Sequence, residues 1–262
     1  MNTTDENTTD EKRVCIVTGS SSGIGAATAL WFAQRGHHVV INYTRKAEAA
    51  QAVADQCRAA GAEVLVVRAD IAEDAECRTL AEEVRQRWGG ADTLVNNAGI
   101  SPKFANLKDL DALSAEDFMD AWRVNVIGTF QMCRAVVPLM AGRTNPSIVN
   151  ISSMAGVMGT GSSMAYAASK GGLNTLTLAL ARSLGPAIRV NAILPGMVNS
   201  EWLRQGLGAE KFEAGRQRYA SRALLHTVIE GDDAANTAYW LALHATKLTG
   251  QLIQLDAGFM LG

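Results

Sequence analysis

Short apolar segments alternate with amphipathic segments along most of the chain. Apolar runs bounded by turn residues predict buried strands, and the stretches of helical periodicity that follow them predict helices. The predicted strands cover residues 14–18, 39–42, 64–68, 93–96, 147–151, 189–194 and 252–255. The predicted helices cover residues 26–35, 46–60, 74–88, 114–140, 165–184 and 232–243.

This regular alternation predicts an α/β fold. Repeated strand–helix–strand units require right-handed parallel crossovers, which give a single Rossmann-like, doubly wound parallel sheet of about seven strands with helices on both faces. The chain has 262 residues, a length at which such a domain commonly stands alone. We therefore expect one domain over 13–262, a disordered polar leader over 1–12, and a substrate flap around the polar, irregular segment 197–231.

Composition and charge narrow the classes of partner. A net charge of −2, from 24 basic and 26 acidic residues, gives no basic field for a nucleic acid or an anionic membrane. Apolar stretches are too short for a membrane span, and the N-terminus lacks the pattern of a secretion signal. The dispersed cysteines and histidines show no metal-ligand spacing. We therefore expect a cytoplasmic protein that acts on a small molecule and binds no metal.

A glycine-rich turn lies between the first predicted strand and helix. Its sequence is TGSSSGIG, and the candidate cofactor-binding residues in it are Gly19, Ser21, Ser22, Gly23, Ile24 and Gly25. Gly19 suits the tight turn, Gly23 lets the backbone approach a pyrophosphate, and Gly25 allows close helix packing. An ordinary flexible loop is the alternative, but the position between strand and helix favours a dinucleotide site.

The end of the second strand bears on which nicotinamide cofactor is used. NAD-specific sites usually place an acid there for the ribose hydroxyls, whereas this chain has Tyr43 followed by Arg45. The Arg45 guanidinium can pair with a 2′-phosphate, which favours NADP(H). NAD(H) remains the alternative if Arg45 is only a solvated surface charge.

A tyrosine and a lysine lie four residues apart in a predicted helix. Tyr166 and Lys170 therefore share one helix face, where the ammonium is expected to lower the phenol pKa from about 10 so that it works as an acid/base group near neutral pH. A buried ring beside a solvated charge is the alternative for the pair alone. Together with the glycine-rich turn, it predicts a dinucleotide oxidoreductase rather than a dinucleotide-sensing regulatory protein without catalysis.

The motifs of this chain, and their order along it, resemble those of the short-chain dehydrogenase/reductase family. The matching segments are TGSSSGIG at 18–25, NNAG at 96–99, VNVIG around Asn125, ISS at 151–153, YAASK at 166–170 and RVNAILPG at 189–196. The resemblance runs from about residue 13 to the C-terminus. It implies carbonyl–alcohol chemistry with a nicotinamide cofactor.

The resemblance also implies a catalytic tetrad of Asn125, Ser153, Tyr166 and Lys170. Tyr166 would protonate the developing alkoxide during hydride transfer, and Ser153 would hydrogen-bond the substrate oxygen. Lys170 would hold the nicotinamide ribose, and Asn125 would hold a water for proton relay. Family spacing to Tyr166 selects Ser153 over Ser152.

Further cofactor contacts follow from the same resemblance. Asp70 and Ile71 would border the adenine, and the segment Asn97, Ala98 and Gly99 would border the adjoining ribose. The remaining contacts would be Pro195, Gly196 and Val198 at the nicotinamide amide, and Ser200 at the pyrophosphate. The resemblance also implies a homotetramer in which helices 114–140 and 165–184 pack against symmetry mates.

Two apolar segments bear on the substrate. The loop 101–113 contains Phe104, Leu107 and Leu110, and the flap contains Trp202, Phe212 and Tyr219. These side chains favour an apolar to mixed-polarity carbonyl compound, while the resemblance leaves open a 3-oxoacyl thioester, a sugar, a steroid-like ketone or a simple secondary alcohol. The sequence therefore predicts a 3-oxoacyl reductase-like, NADP(H)-preferring oxidoreductase.

Overall fold

Seven parallel strands form one sheet in the computed structural model of the protein, which describes residues 13–262. The strands, β1 to β7, are Val14–Val17, His38–Tyr43, Val64–Arg68, Thr93–Asn96, Ser147–Ile151, Arg189–Pro195 and Leu252–Leu255. Their order across the sheet is β3-β2-β1-β4-β5-β6-β7, and every pair is parallel. The predicted fold class is therefore confirmed. The predicted leader over 1–12 lies outside the described residues.

Helices cover both faces of the sheet. The helices, α1 to α10, are Gly23–Ala33, Ala47–Ala59, Asp74–Trp88, Ala115–Trp122, Thr129–Val136, Ala155–Met158, Met164–Leu184, Glu201–Leu207, Ala209–Arg222 and Gly231–Leu243. Short 3₁₀ turns occur at Leu110–Ala112, Val137–Met140 and Phe259–Leu261. Buried residues of α1, α2 and α10 form one core with the sheet, and those of α3, α5 and α7 form the other.

The strands are mainly apolar because most of them contribute side chains to both cores. Ile16 of β1 is in register with Val40 of β2 and Leu94 of β4, and these three side chains share one core. The neighbouring Cys15 and Val17 point into the other core. A parallel sheet covered on both faces thus removes the alternation of polar and apolar residues that a half-exposed strand would show.

The predicted helix over 114–140 is interrupted, which corrects the sequence-based prediction. A π-helical turn at Arg123–Gly128 separates α4 from α5, and a 3₁₀ turn containing Pro138 follows α5. In the π turn, the Asn125 side chain bonds to the backbone of Ile100, and the Thr129 hydroxyl donates to the Asn125 carbonyl. A π turn contains one residue more than an α-helical turn. Here it coincides with the hydrogen bonds that join Asn125 to the distant residue Ile100.

The segment predicted as an irregular flap is largely helical, a second correction. It forms α8 and α9, which meet at Gly208 in a positive-φ conformation of 82°. Ser200 caps α8 through its hydroxyl, and Phe212 of α9 is fully buried. Phe212 is the single buried aromatic residue of α9, and most other positions of this helix are polar. The hydrophobic periodicity of α9 is therefore too weak to predict the helix from the sequence.

A buried arginine fixes α10 to the sheet. Arg189, the first residue of β6, donates to the carbonyls of Leu241, Ala242 and Ala245 at the C-terminal end of α10, and to Asn145 Oδ1. A cation among these carbonyls complements the negative end of the helix dipole. This side chain thus joins the amino end of the sheet to α10.

Candidate active site

The candidate site lies where the strand order reverses. β1 and β4 are neighbours at the centre of the sheet, and their carboxyl ends carry the glycine-rich turn and the NNAG segment. In open α/β sheets a ligand crevice forms at this point, because the connections on either side run in opposite directions.

The two loops are bonded directly to each other. The Thr18 hydroxyl oxygen accepts from the backbone N–H groups of Asn97 and Ala98, both at 3.0 Å. The Asn97 amide donates to the carbonyls of Thr18 at 2.9 Å and Gly19 at 3.1 Å. A Cβ on Gly19 would lie 2.8 Å from the Ala98 Cα, and its φ is +62°, so this position requires glycine.

A buried asparagine, Asn42, joins the second strand to the same turn. Its Oδ1 accepts from the Gly19 N–H at 3.1 Å, and its Nδ2 donates to the Ala69 carbonyl at 2.9 Å. The ends of β1, β2 and β3 are therefore held together by one side chain. The sequence contained no signal for this function beyond a polar residue at the end of an apolar strand.

Arg45 follows β2 and is exposed at the start of α2. With Lys46, it lines a shallow surface depression. Tyr43 precedes it at the end of β2 and is half-buried. The arginine predicted to contact a 2′-phosphate thus lies just past the carboxyl end of β2.

The other predicted cofactor residues lie along the same edge. The Asp70 carboxylate accepts from the Ala72 N–H at 3.0 Å, and Ile71 is buried. Pro195 ends β6, and Val198 forms a backbone bridge to Ile229. The Ser200 hydroxyl oxygen accepts the Leu203 N–H at 3.3 Å as the cap of α8, so this part of its bonding capacity is used within the protein.

Tyr166 and Lys170 lie near the start of α7 and face the crevice. The Ser163 side chain caps this helix through the Tyr166 N–H. Lys170 Nζ lies 5.7 Å from the centroid of the Tyr166 ring and donates to the Ile151 carbonyl at 2.8 Å. Lys170 is only 3% exposed. The ammonium is therefore held at the end of β5 beside the phenol.

The pKa values of this pair differ from the sequence-based prediction. Burial lowers the pKa of Lys170 from 10.5 to about 8. Burial raises the pKa of Tyr166 above 10, and its hydrogen bond with Ser153 acts in the opposite direction. The predicted lowering of the Tyr166 pKa by Lys170 is not found. Burial is the largest influence on this pKa, and the ammonium donates to the Ile151 carbonyl.

The two neighbouring serines have different environments. Ser152 is buried, and its hydroxyl donates to Asn174 Oδ1 at 2.6 Å. Ser153 is half-buried, accepts the Ala155 N–H at 3.1 Å and hydrogen-bonds the Tyr166 phenol. The geometry therefore agrees with the choice of Ser153 as the serine next to the reacting group.

Asn125 joins the π turn to two other parts of the site. Its Oδ1 accepts the Ile100 N–H at 2.8 Å, and its Nδ2 donates to the Ile100 carbonyl and to Ser169 Oγ, both at 2.9 Å. A Cβ on Gly99 would lie 3.1 Å from this Oδ1 and 3.4 Å from Lys170 Nζ. Both amide hydrogens are thus used by protein groups, so the predicted water contact falls to the oxygen atoms of Asn125.

Within residues 13–262, no cluster of three or more His, Cys, Asp or Glu side chains could hold a metal ion. No helix in the same range is both long and apolar enough to cross a membrane.

Comparisons with known proteins define the family. The profile described as short chain dehydrogenase matches residues 13–209. Ketoacyl reductase 2 of the granaticin polyketide synthase from Streptomyces violaceoruber is 38% identical over 248 residues, covering 95% of this chain and 96% of that protein. The 3-oxoacyl-(acyl-carrier-protein) reductase FabG of Staphylococcus epidermidis is 33% identical over 245 residues, covering 93% and 97%.

A solved structure gives the same result. The crystal structure of a short-chain dehydrogenase/reductase from Burkholderia xenovorans superposes with a TM-score of 0.88 at 42% identity, covering 98% of this chain and 100% of that one. The chain therefore belongs to the short chain dehydrogenase family. Both the predicted resemblance and the predicted oxidoreductase class, acting between a carbonyl and an alcohol, are confirmed.

The lowered pKa of Lys170 predicts a pH-dependent stability. The folded protein has a pKa of about 8 where the unfolded chain has 10.5, so the unfolded state binds more protons between these values and stability rises with pH through this window. We expect Lys170→Met to remove this rise. The difference in unfolding free energy between the two proteins should change by roughly 3 kcal/mol between pH 7 and 11, measured by urea denaturation across pH.

The control for this prediction is Lys211→Met. Lys211 is exposed on α9, and water solvates its charge in both states, so its profile should follow the wild type. Parallel profiles for wild type and Lys170→Met would contradict the prediction.

Proposed function

We propose that the protein is an NADP(H)-preferring reductase that converts a ketone to a secondary alcohol, with Tyr166 as the general acid. The observation that carries this proposal is the convergence of the Tyr166 phenol, the Ser153 hydroxyl and the buried Lys170 ammonium beside the glycine-rich turn. A phenol that is hydrogen-bonded to a serine hydroxyl and lies close to an ammonium suits the protonation of an alkoxide.

The residues present fit a dinucleotide. Gly19 and Gly23 have positive φ angles, and the backbone at Gly19 approaches Ala98 more closely than a side chain would permit. The turn leads into the N-terminus of α1, whose N–H groups and dipole favour a pyrophosphate. When bound, the nicotinamide supplies the hydride, while every proton-handling step belongs to side chains of this chain.

The proton is moved by Tyr166. Ser153 donates a hydrogen bond to the substrate carbonyl oxygen, and Tyr166 delivers its proton to that oxygen as negative charge develops. The raised pKa of Tyr166 keeps the phenol protonated at neutral pH, which is the form that reduction requires. Oxidation of the alcohol needs the phenolate, so the reverse reaction is favoured by higher pH.

Lys170 and Asn125 position the reacting groups. One hydrogen of the Lys170 ammonium is bonded to the Ile151 carbonyl, and the other two are available to the nicotinamide ribose hydroxyls. The Asn125 side chain clamps the backbone of Ile100 and Ser169 of α7, and so sets the distance between the NNAG segment and the helix that carries Tyr166. A complete tetrad favours catalysis over dinucleotide sensing.

The relatives support a substrate class for this protein, and its cysteines support a location in the cytoplasm. The relatives named above are reductases of ketoacyl compounds, which supports a 3-oxoacyl-like ketone as the substrate of this protein. All four cysteines are free and buried, which fits the reducing cytoplasm.

The assembly that we propose is a homotetramer. One exposed apolar face spans α4, the π turn, α5 and α7, and its members are Phe118, Trp122, Ile127, Phe130 and Leu178. Trp240, Leu225 and Leu261 are further exposed apolar residues outside this face. A tetramer with three two-fold axes needs a second self-complementary face, and we assign these residues to it.

Substitution of Tyr166 tests the chemistry. Tyr166→Phe removes the proton donor and should lower kcat for ketone reduction by roughly 10²-fold or more, with the dissociation constant for NADPH nearly unchanged. The measurement is the decrease in NADPH absorbance as the enzyme reduces each member of a panel of ketones. Tyr239→Phe removes a phenol from α10, outside the site, and should leave kcat as in the wild type. Near-normal turnover by Tyr166→Phe would refute the assigned role.

Cofactor preference is tested at Arg45. We expect a lower KM for NADPH than for NADH, and Arg45→Ala should raise the NADPH KM by roughly tenfold with little effect on NADH, since a charged phosphate contact is lost. Arg58→Ala is the matched control, because this arginine is exposed on the same helix and pairs with Asp55. A wild-type preference for NADH would overturn this assignment.

Sedimentation velocity tests the tetramer. The wild type should sediment as four chains, and Phe130→Glu should yield smaller species because it puts a charge into the apolar face. Leu110→Glu is a control at an exposed apolar residue outside both surfaces and should remain tetrameric. A wild-type monomer at micromolar concentration would be incompatible with the proposal.

A further inference from the structure

Two aromatic residues from separate segments meet beside the candidate catalytic tyrosine. The ring centroids of Phe104 and Trp202 are 5.2 Å apart, and those of Trp202 and Tyr166 are 6.1 Å apart with their planes inclined at 43°. Phe104 lies in the loop before α4, whereas Trp202 lies in α8. We call these two residues, Phe104 and Trp202, the aromatic wall.

The aromatic wall is fixed relative to Tyr166 from the loop side. The Ala105 N–H donates to the Ser162 carbonyl at 2.8 Å, and the Ser162 hydroxyl donates to Ser101 Oγ at 2.8 Å. The next residue, Ser163, caps α7 through the Tyr166 N–H at 3.1 Å. Phe104 is thus tied, through two residues, to the helix turn that carries the reacting phenol.

A glycine on α8 accepts the Phe104 ring. A Cβ at Gly206 would fall inside the van der Waals envelope of that ring, so the side chain occupies a notch that glycine alone leaves open. Gly206 is one turn after Trp202, so both residues lie on the same face of α8. The notch therefore lets Phe104 pack against the indole of Trp202, which lies beside Tyr166.

Two basic side chains next to the aromatic wall, Lys103 and Arg204, interact with other residues and not with the wall. Lys103 pairs with Asp117 at 2.9 Å, and the Arg204 guanidinium lies 4.4 Å from the centroid of the Phe212 ring. Trp202 itself remains 45% exposed beside the phenol. An indole with this much exposure next to a reacting group presents apolar surface that a substrate can cover.

Building on the function proposed above, we infer that the aromatic wall determines specificity and selects ketones that carry a flat, apolar ring near the carbonyl. The exposed part of the Trp202 indole lies beside the phenol, and a ring that packs against it gains aromatic contact. A linear chain of equal carbon number makes less contact and loses more torsional freedom on binding. The wall therefore favours rings over extended chains.

Three methyl ketones with the same reacting group test this inference. The probes are 4-phenyl-2-butanone, 2-decanone, which has the same number of carbons without a ring, and acetone, which is too small to reach the wall. The wild type should show a kcat/KM at least tenfold higher for the phenyl ketone than for 2-decanone. Trp202→Leu should abolish that ratio, mainly through the KM of the phenyl ketone, whereas Trp202→Phe should retain most of it.

Gly206 provides a second, independent variant. Gly206→Val fills the notch, displaces Phe104 and should lower the same ratio, while kcat/KM for acetone stays within about threefold of the wild type. Gly215→Ala is the matched control, because a Cβ at this glycine of the neighbouring helix meets only Met197 at an ordinary 3.6 Å. It should behave as the wild type with all three ketones.

The outcomes separate the two proposals. Reduction of the ketones with an unchanged ratio in Trp202→Leu and Gly206→Val would overturn the aromatic wall and leave the proposed function intact. An equal loss for acetone in these variants would also overturn it, since the effect would then be structural. If the wild type binds NADPH but reduces none of the three ketones, the aromatic wall is overturned. The proposed function is then tested separately with a 3-oxoacyl thioester in the same assay, and no reduction of that compound would refute it.

Discussion

The hydrogen bond from Lys170 Nζ to the Ile151 carbonyl organises the site. It brings an ammonium to the end of β5 in a place that water barely reaches, and the cost of that burial is reflected in the lowered pKa of the lysine. The surrounding contacts keep the lysine there. The Ser152 hydroxyl bonds to the Lys170 carbonyl and to Asn174, and Gly156 of α6 lies so close to the Lys170 backbone that a Cβ would collide. The fold thus holds an unfavourable charge in place so that it lies beside the phenol.

Asparagine side chains perform a comparable task at the nucleotide side. Asn42 and Asn97 connect the glycine-rich turn to the ends of β2, β3 and β4, and Asn125 connects the NNAG segment to α7. An amide offers both donors and acceptors, so one buried side chain can satisfy backbone groups from two loops at once. These three asparagines hold the loops around the crevice together through hydrogen bonds of neutral side chains.

Most strands could be predicted from the sequence because they are buried on both faces and therefore mainly apolar. The tetrad could be predicted through its family motif, although its spatial arrangement could not. The break at Asn125 depends on Ile100 and Ser169, which are distant in sequence, and local periodicity contains no information about them. Similarly, α9 has a single fully buried aromatic anchor, Phe212, and the raised pKa of Tyr166 reflects a burial that only the folded chain defines.

The flap has two helices with unequal attachment. Tyr219 of α9 donates to the Asp256 carbonyl at 2.8 Å and stacks on Phe259 at a centroid distance of 4.2 Å, so α9 is fastened to the C-terminal end of the chain. The helix α8 has seven residues, contains no buried residue and is joined to α9 at Gly208, which has a positive φ angle. Sequence change in α8 can therefore reshape the mouth of the crevice while the sheet, the nucleotide frame and the C-terminal packing stay as they are. A helix that contributes nothing to the core, such as α8, can change its sequence at little cost to folding. A family that keeps one chemistry can therefore acquire new substrates through such a helix.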